Sequence, residues 1–389
     1  MKIVLFTHPS FLAHQSMPRY ANMLLHGMRF RGHQVEVWSP KARFLNLSFG
    51  NILKKWFSYI DQYLIFPLEV KLKLSNVEKD TLFVFADQAL GPWVPLVKNR
   101  KHVVHCHDFL ALKSAQGQVE ENPTSFTGKL YQNYIRSGFS NGKNFISISE
   151  KTQKDLHNFH LGKIESSVVC YNGLNRFFNV LPPKESRSLL QDKLNILLFM
   201  GYILHIGGNQ YYKNRKGVVE IYDSWRDKFN KKIPLLLIGS EPSDELSIVY
   251  QKSKFKEDIY FITNLSDEYI NLLYSGAICL LFPSLDEGFG WPIIEAMASG
   301  CPVLTTNKAP MTEVGGKAAF YIDRRPSEEI YCKKWAQNSA SKLNKIVELN
   351  SFEFQSTINL GIKNTERFSN DKVINKIENF YKAILNNSN

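Results

Sequence analysis

Cysteine is scarce in this 389-residue chain, and the few present are scattered. Cys106, Cys170, Cys279, Cys301 and Cys332 form no close pair of the kind that binds zinc, and an odd, dispersed set fits a reducing compartment. Histidine is missing beyond His205; all ten lie at or before it, so histidine chemistry must come from the first half of the chain or the start of the second. No apolar run approaches the roughly 18 residues that a membrane-spanning helix needs. The opening Met1-Lys-Ile-Val-Leu-Phe-Thr-His turns polar within a few residues, which reads as a first strand and not as a signal peptide. Acidic residues are also short, 36 Asp and Glu against 48 Lys and Arg, a formal net charge of +12. That balance favours an anionic partner: a nucleotide, a nucleic acid or an anionic membrane surface. Nucleic acid is disfavoured, because no interleaved basic and aromatic recognition motif is present.

The length exceeds one ordinary core and implies two domains. Two sets of six short apolar runs emerge, separated by helical patterns. The first set is Ile3–Phe6, Val35–Trp38, Leu82–Phe85, His102–His105, Phe145–Ile148 and Val168–Tyr171. The second is Ile196–Met200, Leu235–Ile238, Ile259–Ile262, Ala277–Phe282, Pro302–Thr305 and Ala319–Ile322. Strand and helix alternating at this spacing predict an α/β chain of two doubly wound parallel sheets. A linker is expected over Asn179–Lys193, and ligands are expected in the cleft between the domains, at the carboxyl ends of strands. The first loop, His8–Met17, holds no glycine, and Gly201, Gly207 and Gly208 lack the dinucleotide spacing, so a nicotinamide or flavin cofactor is not indicated. Seven aromatic residues between Phe44 and Phe66, with Lys54-Lys55, can pack against the first sheet or form an amphipathic segment resting on a membrane.

Chemistry concentrates in Phe282–Gly300. An apolar run, a turn with Gly288 and Gly290, and a helix opened by Pro292 place Glu287 in the loop and Glu295 in the first helical turns. Trp291 cannot cap that helix, so its first amides are open to a ligand anion, or to Ser284, Asp286 or water. Lys213, Arg215 and Lys216 crowd the start of another helix, expected from about Val218, where cations oppose the macrodipole; an anion held between them and the helix amides would explain the arrangement. His105, His107 and Asp108 end a first-half strand with no third metal ligand nearby. There His107 suits a hydrogen-bonding or catalytic role as well as a structural one. Two carboxylates eight positions apart also suggest glycoside hydrolysis, but neighbouring cations would keep both ionised and leave no general acid.

These residues resemble a known family. Glu287-Gly-Phe-Gly-Trp-Pro-Ile-Ile-Glu295 is similar to the Glu, seven residues, Glu signature of retaining glycosyltransferases of family 4, which have the GT-B fold. His107-Asp108, Ser147-Ile-Ser-Glu-Lys151, Tyr171-Asn-Gly-Leu174, Arg215-Lys216-Gly217 and Val314-Gly-Gly resemble further family markers in the same order. The resemblance implies two Rossmann-like domains facing across a cleft. Residues 1–180 would bind the acceptor and 193–369 the nucleotide sugar, and a terminal helix, 370–389, would cross back onto the first domain.

The resemblance also implies the site. Glu287 would contact the transferred sugar, Lys216 with Arg215 would neutralise the departing diphosphate, and His107 would lie near the reacting carbon. Gly208, Asn209, Lys213, Gly288, Phe289, Gly290 and Glu295 would complete the donor side, with Glu295 at the ribose. His14, Ser16, Met17, Arg19 and Asp108 would face the acceptor. No metal or cofactor is implied beyond the nucleotide-diphosphate sugar, and transfer would retain configuration. The acceptor would be a sugar, a glycan or a lipid-linked molecule, at a cytoplasmic site or peripherally on an anionic membrane. An epimerase of the same shape and a non-catalytic sugar-binding subunit are the rival readings. The sequence departs from the family in lacking its Gly-Gly in the first loop and its arginine near Gly201, so either Lys213 or Lys216 can meet the phosphate.

Overall fold

The computed structural model describes residues 1–12, 16–47, 51–174 and 178–386. It divides into two compact units, one of Met1–Val119, Pro123–Asn175 and Asn370–Asn389, the other of Glu120–Asn122 and Arg176–Ser369. The first carries β1 (Lys2–Phe6), α1 (Ser16–Phe30), β2 (Gln34–Trp38), α2 (Asn51–Ile60), α3 (Phe66–Leu74), β3 (Leu82–Phe85), β4 (His102–Cys106), α4 (Leu110–Ala115), α5 (Phe126–Phe139), β5 (Asn144–Ser147), α6 (Glu150–Phe159) and β6 (Ser166–Val169). The second begins with α7 (Pro183–Leu194) and β7 (Ile203–Gly207), followed by α8 (Arg215–Phe229), β8 (Leu235–Gly239), α9 (Asp244–Lys252), β9 (Ile259–Ile262), α10 (Ile270–Gly276) and β10 (Cys279–Phe282). It closes with α11 (Trp291–Ala298), β11 (Val303–Thr306), α12 (Met311–Gly315), β12 (Phe320–Ile322), α13 (Glu329–Val347) and α14 (Ser351–Thr365). The last helix, α15 (Asn370–Asn386), belongs to the first unit.

Each unit is built on one parallel six-stranded sheet. The orders are β2-β1-β3-β4-β5-β6 and β12-β11-β10-β7-β8-β9. Both are doubly wound, and in the second the winding reverses between β7 and β10, the place where such sheets open a crevice at their carboxyl ends. Strands buried on both faces explain why they read as continuous apolar runs rather than alternating ones: β3 is Leu-Phe-Val-Phe with every residue buried. On one face of the first sheet Phe6, Trp38, Phe66, Phe85 and Trp93 form an aromatic core. On the other, Tyr20, Leu24 and Met28 of α1 meet Val373, Ile377 and Tyr381 of α15. Apolar residues at 3–4-residue spacing give α15 the stripe that makes this contact possible.

Two sequence expectations are corrected. Ile196–Met200 is not a strand: Leu197, Phe199 and Met200 are 73%, 69% and 61% exposed, and the first strand of the unit is the following run, Ile203–Gly207. The two runs are split by Gly201 at φ +86°, a left-handed turn that ends the first before it can pair. The expected linker over Asn179–Lys193 contains α7, opened by Pro183 at its first turn. Of the aromatic segment between Phe44 and Phe66, residues 51–66 are helical, and the reading that packs it against the first sheet holds in part. Phe66 is buried in the core, whereas Trp56 is 63% exposed.

Each sheet buries a histidine of no evident catalytic use. His105 lies between Tyr20 and Tyr381, its Nδ1 2.7 Å and its Nε2 2.6 Å from their hydroxyls, so a neutral ring can serve one as donor and the other as acceptor. Burial, with the charge of His107, pushes its pKa down to about 3. His205 is likewise pushed down to about 3 by burial. As pH falls below the unfolded value of about 6.5, the unfolded chain takes up protons that these two rings refuse until about pH 3, so stability falls by at most about 1.4 kcal/mol per pH unit for each. Thermal melts from about pH 7 to about pH 4.5 should therefore show a declining midpoint, and His105→Gln should flatten the dependence. An unchanged slope in that variant would assign the acid sensitivity elsewhere.

Candidate active site

In the second unit the site is assembled by two loops that leave neighbouring strands, β7 and β10. The backbone staples them: Leu285 N–H donates to Tyr212 C=O at 2.7 Å, and Asn214 Nδ2 donates to Pro283 C=O at 2.8 Å. Between these bonds the Lys213 ammonium donates to Glu287 Oε1 at 2.8 Å. Ser284 Oγ donates to the same oxygen at 2.9 Å. Burial raises the Glu287 carboxyl above its usual value, and Lys213, first by charge and then by its hydrogen bond, pulls it back. The Lys213 ammonium also sits 5.1 Å above the Phe282 ring. A neutral His205 stacks on that ring and donates from Nδ1 to Leu281 C=O at 2.9 Å, tying β7 to β10 beneath the pair.

Glu295 lies on α11, buried, with Tyr274 Oη donating to its Oε2 at 3.0 Å. Gly290 caps α11 without a side-chain bond and stands at φ +99°, a conformation that favours glycine. Gly288, Phe289 and Gly290 thus carry the chain from one carboxylate to the other along a turn whose amides precede a helix N-terminus.

The three cations do not converge, contrary to the sequence expectation. The helix starts at Arg215 instead of Val218, because Asn214, left-handed at φ 52°, caps it by accepting from Gly217 N–H at 3.2 Å. Lys213 precedes that cap and turns to Glu287. Arg215 turns inward: its Nη1 donates to Asn209 Oδ1 at 2.5 Å and to Ser240 C=O at 2.8 Å, and burial lowers its pKa to about 10. Lys216 turns outward to Glu329 at 2.6 Å and Glu245 at 3.5 Å. Gly208 and Asn209 follow β7 directly, and Asn209 Nδ2 donates to Glu241 C=O. Sequence reasoning missed Tyr274 and Ser284. Ser284 lies three residues before Glu287 in the same loop, and only the fold brings Tyr274 to Glu295.

In the first unit, His107 ends β4. Its Nε2–H donates to Ala86 C=O at 2.8 Å and its ring meets Tyr20 edge-on at 4.4 Å, so Nδ1 is the ring nitrogen turned away from that carbonyl. Asp108 is half-buried, and desolvation first, then the charge of Asp87, raises its pKa; its Oδ1 accepts from Leu110 N–H at 3.0 Å. A cavity of about 240 Å³ is lined by His8, Ser16, Met17, Asp87, His107 and Asp108, among others. Arg19 is half-buried on the same turn of α1 but does not line it, and His14 lies outside the described residues. His8 and Asp87 were not foreseen: His8 Nε2–H donates to Asp87 Oδ2 at 2.8 Å. Burial works against the Asp87 charge, but the His8 bond and the charges of His8 and His107 hold its pKa at about 2.

Two Rossmann-like units, with α15 returned to the first, define the GT-B class of protein. Solved structures of that shape match the whole chain. The Anabaena protein Alr3699/HepE, crystallised with UDP and glucose, aligns with a TM-score of 0.70 at 16% identity over 98% of this chain and 100% of that one. WaaG, described as a glycosyltransferase involved in lipopolysaccharide biosynthesis, aligns at 0.67 and 15% over 99% and 100%. Residues 187–348 match the family Glycosyl transferases group 1. Among curated relatives, the O-antigen chain mannosyltransferase RfbU of Salmonella typhimurium is 26% identical over 55% of this chain and 55% of its own length. The O-antigen chain mannosyltransferase B of Escherichia coli is 33% identical over 33% and 34%. The chain thus spans about half or less of the curated relatives it matches.

Removing Lys213 would strand a buried carboxylate. In Lys213→Met the Glu287 pKa should rise further, so the folded state would favour the protonated acid. Stability would then be intact below the unfolded value of about 4.5 and would fall as pH rises toward the folded one. The gap in melting temperature between wild type and Lys213→Met should therefore widen from about pH 5 to about pH 8. A gap independent of pH would mean that Glu287 does not depend on Lys213 for its charge.

Proposed function

We propose that the chain is a metal-independent, retaining hexosyltransferase. It takes a sugar from a nucleoside-diphosphate sugar and passes it to a hydroxyl acceptor, in assembly of polysaccharide, lipopolysaccharide or a related glycoconjugate. The observation that carries this reading is the buried Glu287–Lys213 pair beside Glu295, set at the carboxyl ends of β7 and β10 within the matched domain. The mannosyltransferase names of the relatives and the UDP and glucose held by a protein of the same fold support the substrate class.

In this mechanism Glu287 accepts hydrogen bonds from hydroxyls of the transferred sugar, and Glu295 from the ribose. The bond from the anomeric carbon to the diphosphate oxygen breaks, and the bond to the acceptor oxygen forms on the same face of the sugar. The acceptor's proton passes to the departing phosphate. Negative charge grows on the diphosphate as it leaves, so a preorganised cation and the amides before α11 supply the stabilisation a metal would give. Lys213 is the better placed cation, because a sugar that engages Glu287 frees its ammonium at that spot; Lys216 is held by Glu329 and Glu245. The acceptor is assigned to the first-unit cavity, with His107, Ser16, Met17 and Asp108 at its lining. Five buried cysteines, none in a disulfide, suit a cytoplasmic location.

A thermal-shift panel of UDP, GDP, UDP-glucose and GDP-mannose tests the reading, because a donor must stabilise the fold it binds. At least one should raise the midpoint. Lys213→Ala should weaken that ligand by about tenfold or more, with Lys216→Ala near wild type. The opposite ranking would move the phosphate role to Lys216. No response to any nucleotide would overturn the donor assignment.

A further inference from the structure

The first unit turns large apolar side chains outward on two adjoining segments. Along α2 to α3, Trp56, Leu64, Leu68 and Leu72 are 63%, 61%, 57% and 76% exposed, the three leucines four residues apart. On α5, Phe126, Leu130 and Tyr134 are 75%, 55% and 49% exposed at the same spacing. Rings join the segments: Tyr59 stacks on Tyr131 at 5.9 Å, Tyr63 meets Tyr134 edge-on at 5.7 Å, and the Tyr63 and Tyr131 hydroxyls are 2.6 Å apart. The opposite faces are already committed, with Phe66, Val70, Ile135 and Phe139 in the aromatic core. The outward residues therefore stabilise nothing in the fold, and a continuous apolar surface of this kind marks a contact with something else.

Charge identifies the partner. Residues 51–74 and 126–139 contain Lys54, Lys55, Lys71, Lys73, Lys129 and Arg136, against only Asp61 and Glu69. Neither acid is free. Asp61 is 1% exposed and accepts from the amides of Arg43, Phe44 and Leu45 at 3.0 Å each, and Glu69 pairs with Arg43 at 2.5 Å. All five lysines are exposed. A second copy of this face would bring like charge to like charge. A sheet of anionic lipid headgroups over an apolar interior is complementary to both features at once. No helix among the described residues is long and apolar enough to cross a membrane, so the contact would be peripheral.

We propose that the α2–α3 and α5 face docks the protein on an anionic bilayer, with the leucines and aromatic rings entering the headgroup boundary and the lysines meeting lipid phosphates. This extends the transferase reading by giving its acceptor a class, a hydroxyl carried on a membrane lipid, but it rests on the surface alone. The test is co-sedimentation of the full chain with phosphatidylcholine vesicles, with and without phosphatidylglycerol, at low and high salt. Binding is expected only with phosphatidylglycerol and is expected to weaken with salt. Lys54→Glu with Lys55→Glu should lower the partition by about tenfold or more, and Leu68→Glu with Leu130→Glu should abolish it. Both variants should keep the wild-type melting temperature and nucleotide-induced shift, which separates loss of docking from loss of the donor site. Absence of wild-type binding to phosphatidylglycerol vesicles, or binding that both variants retain, would overturn the proposal. Self-association in sedimentation that Leu68→Glu with Leu130→Glu removes would give the face to a second copy instead.

Discussion

The second unit is organised around a buried ion pair, Lys213 with Glu287. Taking both charges out of water costs several kcal/mol per ion, and their attraction repays that only with good geometry and further hydrogen bonds. The surroundings supply both. Ser284 gives the carboxylate a second donor at 2.9 Å, the Phe282 ring lies under the ammonium, and two backbone bonds hold the loops in register. Little of this is needed for folding, since apolar residues of similar volume would pack the same space at no electrostatic cost. What the pair provides is a buried carboxylate and a half-buried cation, held together at the carboxyl end of the sheet. A ligand with hydroxyls for one and phosphate for the other can replace each as the other's partner.

The first unit solves a related problem with histidines. His8 holds Asp87 ionised, and Asp87 also accepts from the Ala89 amide at 3.0 Å, so the carboxylate is locked by two partners in the cavity wall. His107 has one ring nitrogen fixed by the Ala86 carbonyl, which sets its tautomer and orientation. His105, two residues earlier, lies on the same side, as the two-residue repeat of a strand requires, with Tyr20 edge-on to both rings, but it is consumed in packing between two tyrosines. Adjacent members of one short motif therefore do unrelated jobs.

Burial of the strands on both faces explains what was legible in the sequence. Buried parallel strands announce themselves as apolar runs, so eleven of the twelve proposed strands overlap an observed one, and the Glu287 to Glu295 unit could be read as strand, turn and helix. The failure at Ile196–Met200 came from two apolar runs in succession, where composition alone cannot say which pairs; the left-handed Gly201 decides it. The direction of Lys213, Arg215 and Lys216 was illegible for a different reason. Side chains one and two positions apart on a helix diverge by 100° and 200°, and the outcome depends on the residue at which the helix begins. Asn214 begins it at Arg215, three residues before the expected Val218, and so leaves Lys213 in the loop, free to turn toward Glu287. Tyr274 and His8 were invisible because their partners are distant in sequence.

The net charge can now be placed. A surplus of +12 favours an anionic partner, and a nucleotide on the donor side is one such partner. Yet most of the cations there are matched: Lys213 by Glu287, Lys216 by Glu329 and Glu245, Arg325 by Glu220. Under the proposed function such a site takes a doubly charged leaving group by exchange of partners, without contributing much to the total. The unmatched charge lies elsewhere, and the segments 51–74 and 126–139 alone hold six cations to two acids. Both acids are spent inside the fold, so the lysines there face solvent without an opposing carboxylate from their own segments. Repulsion among them is a standing cost that folding does not require. It is relieved when a surface of opposite charge covers them, and the apolar stripes they flank need covering by that same surface.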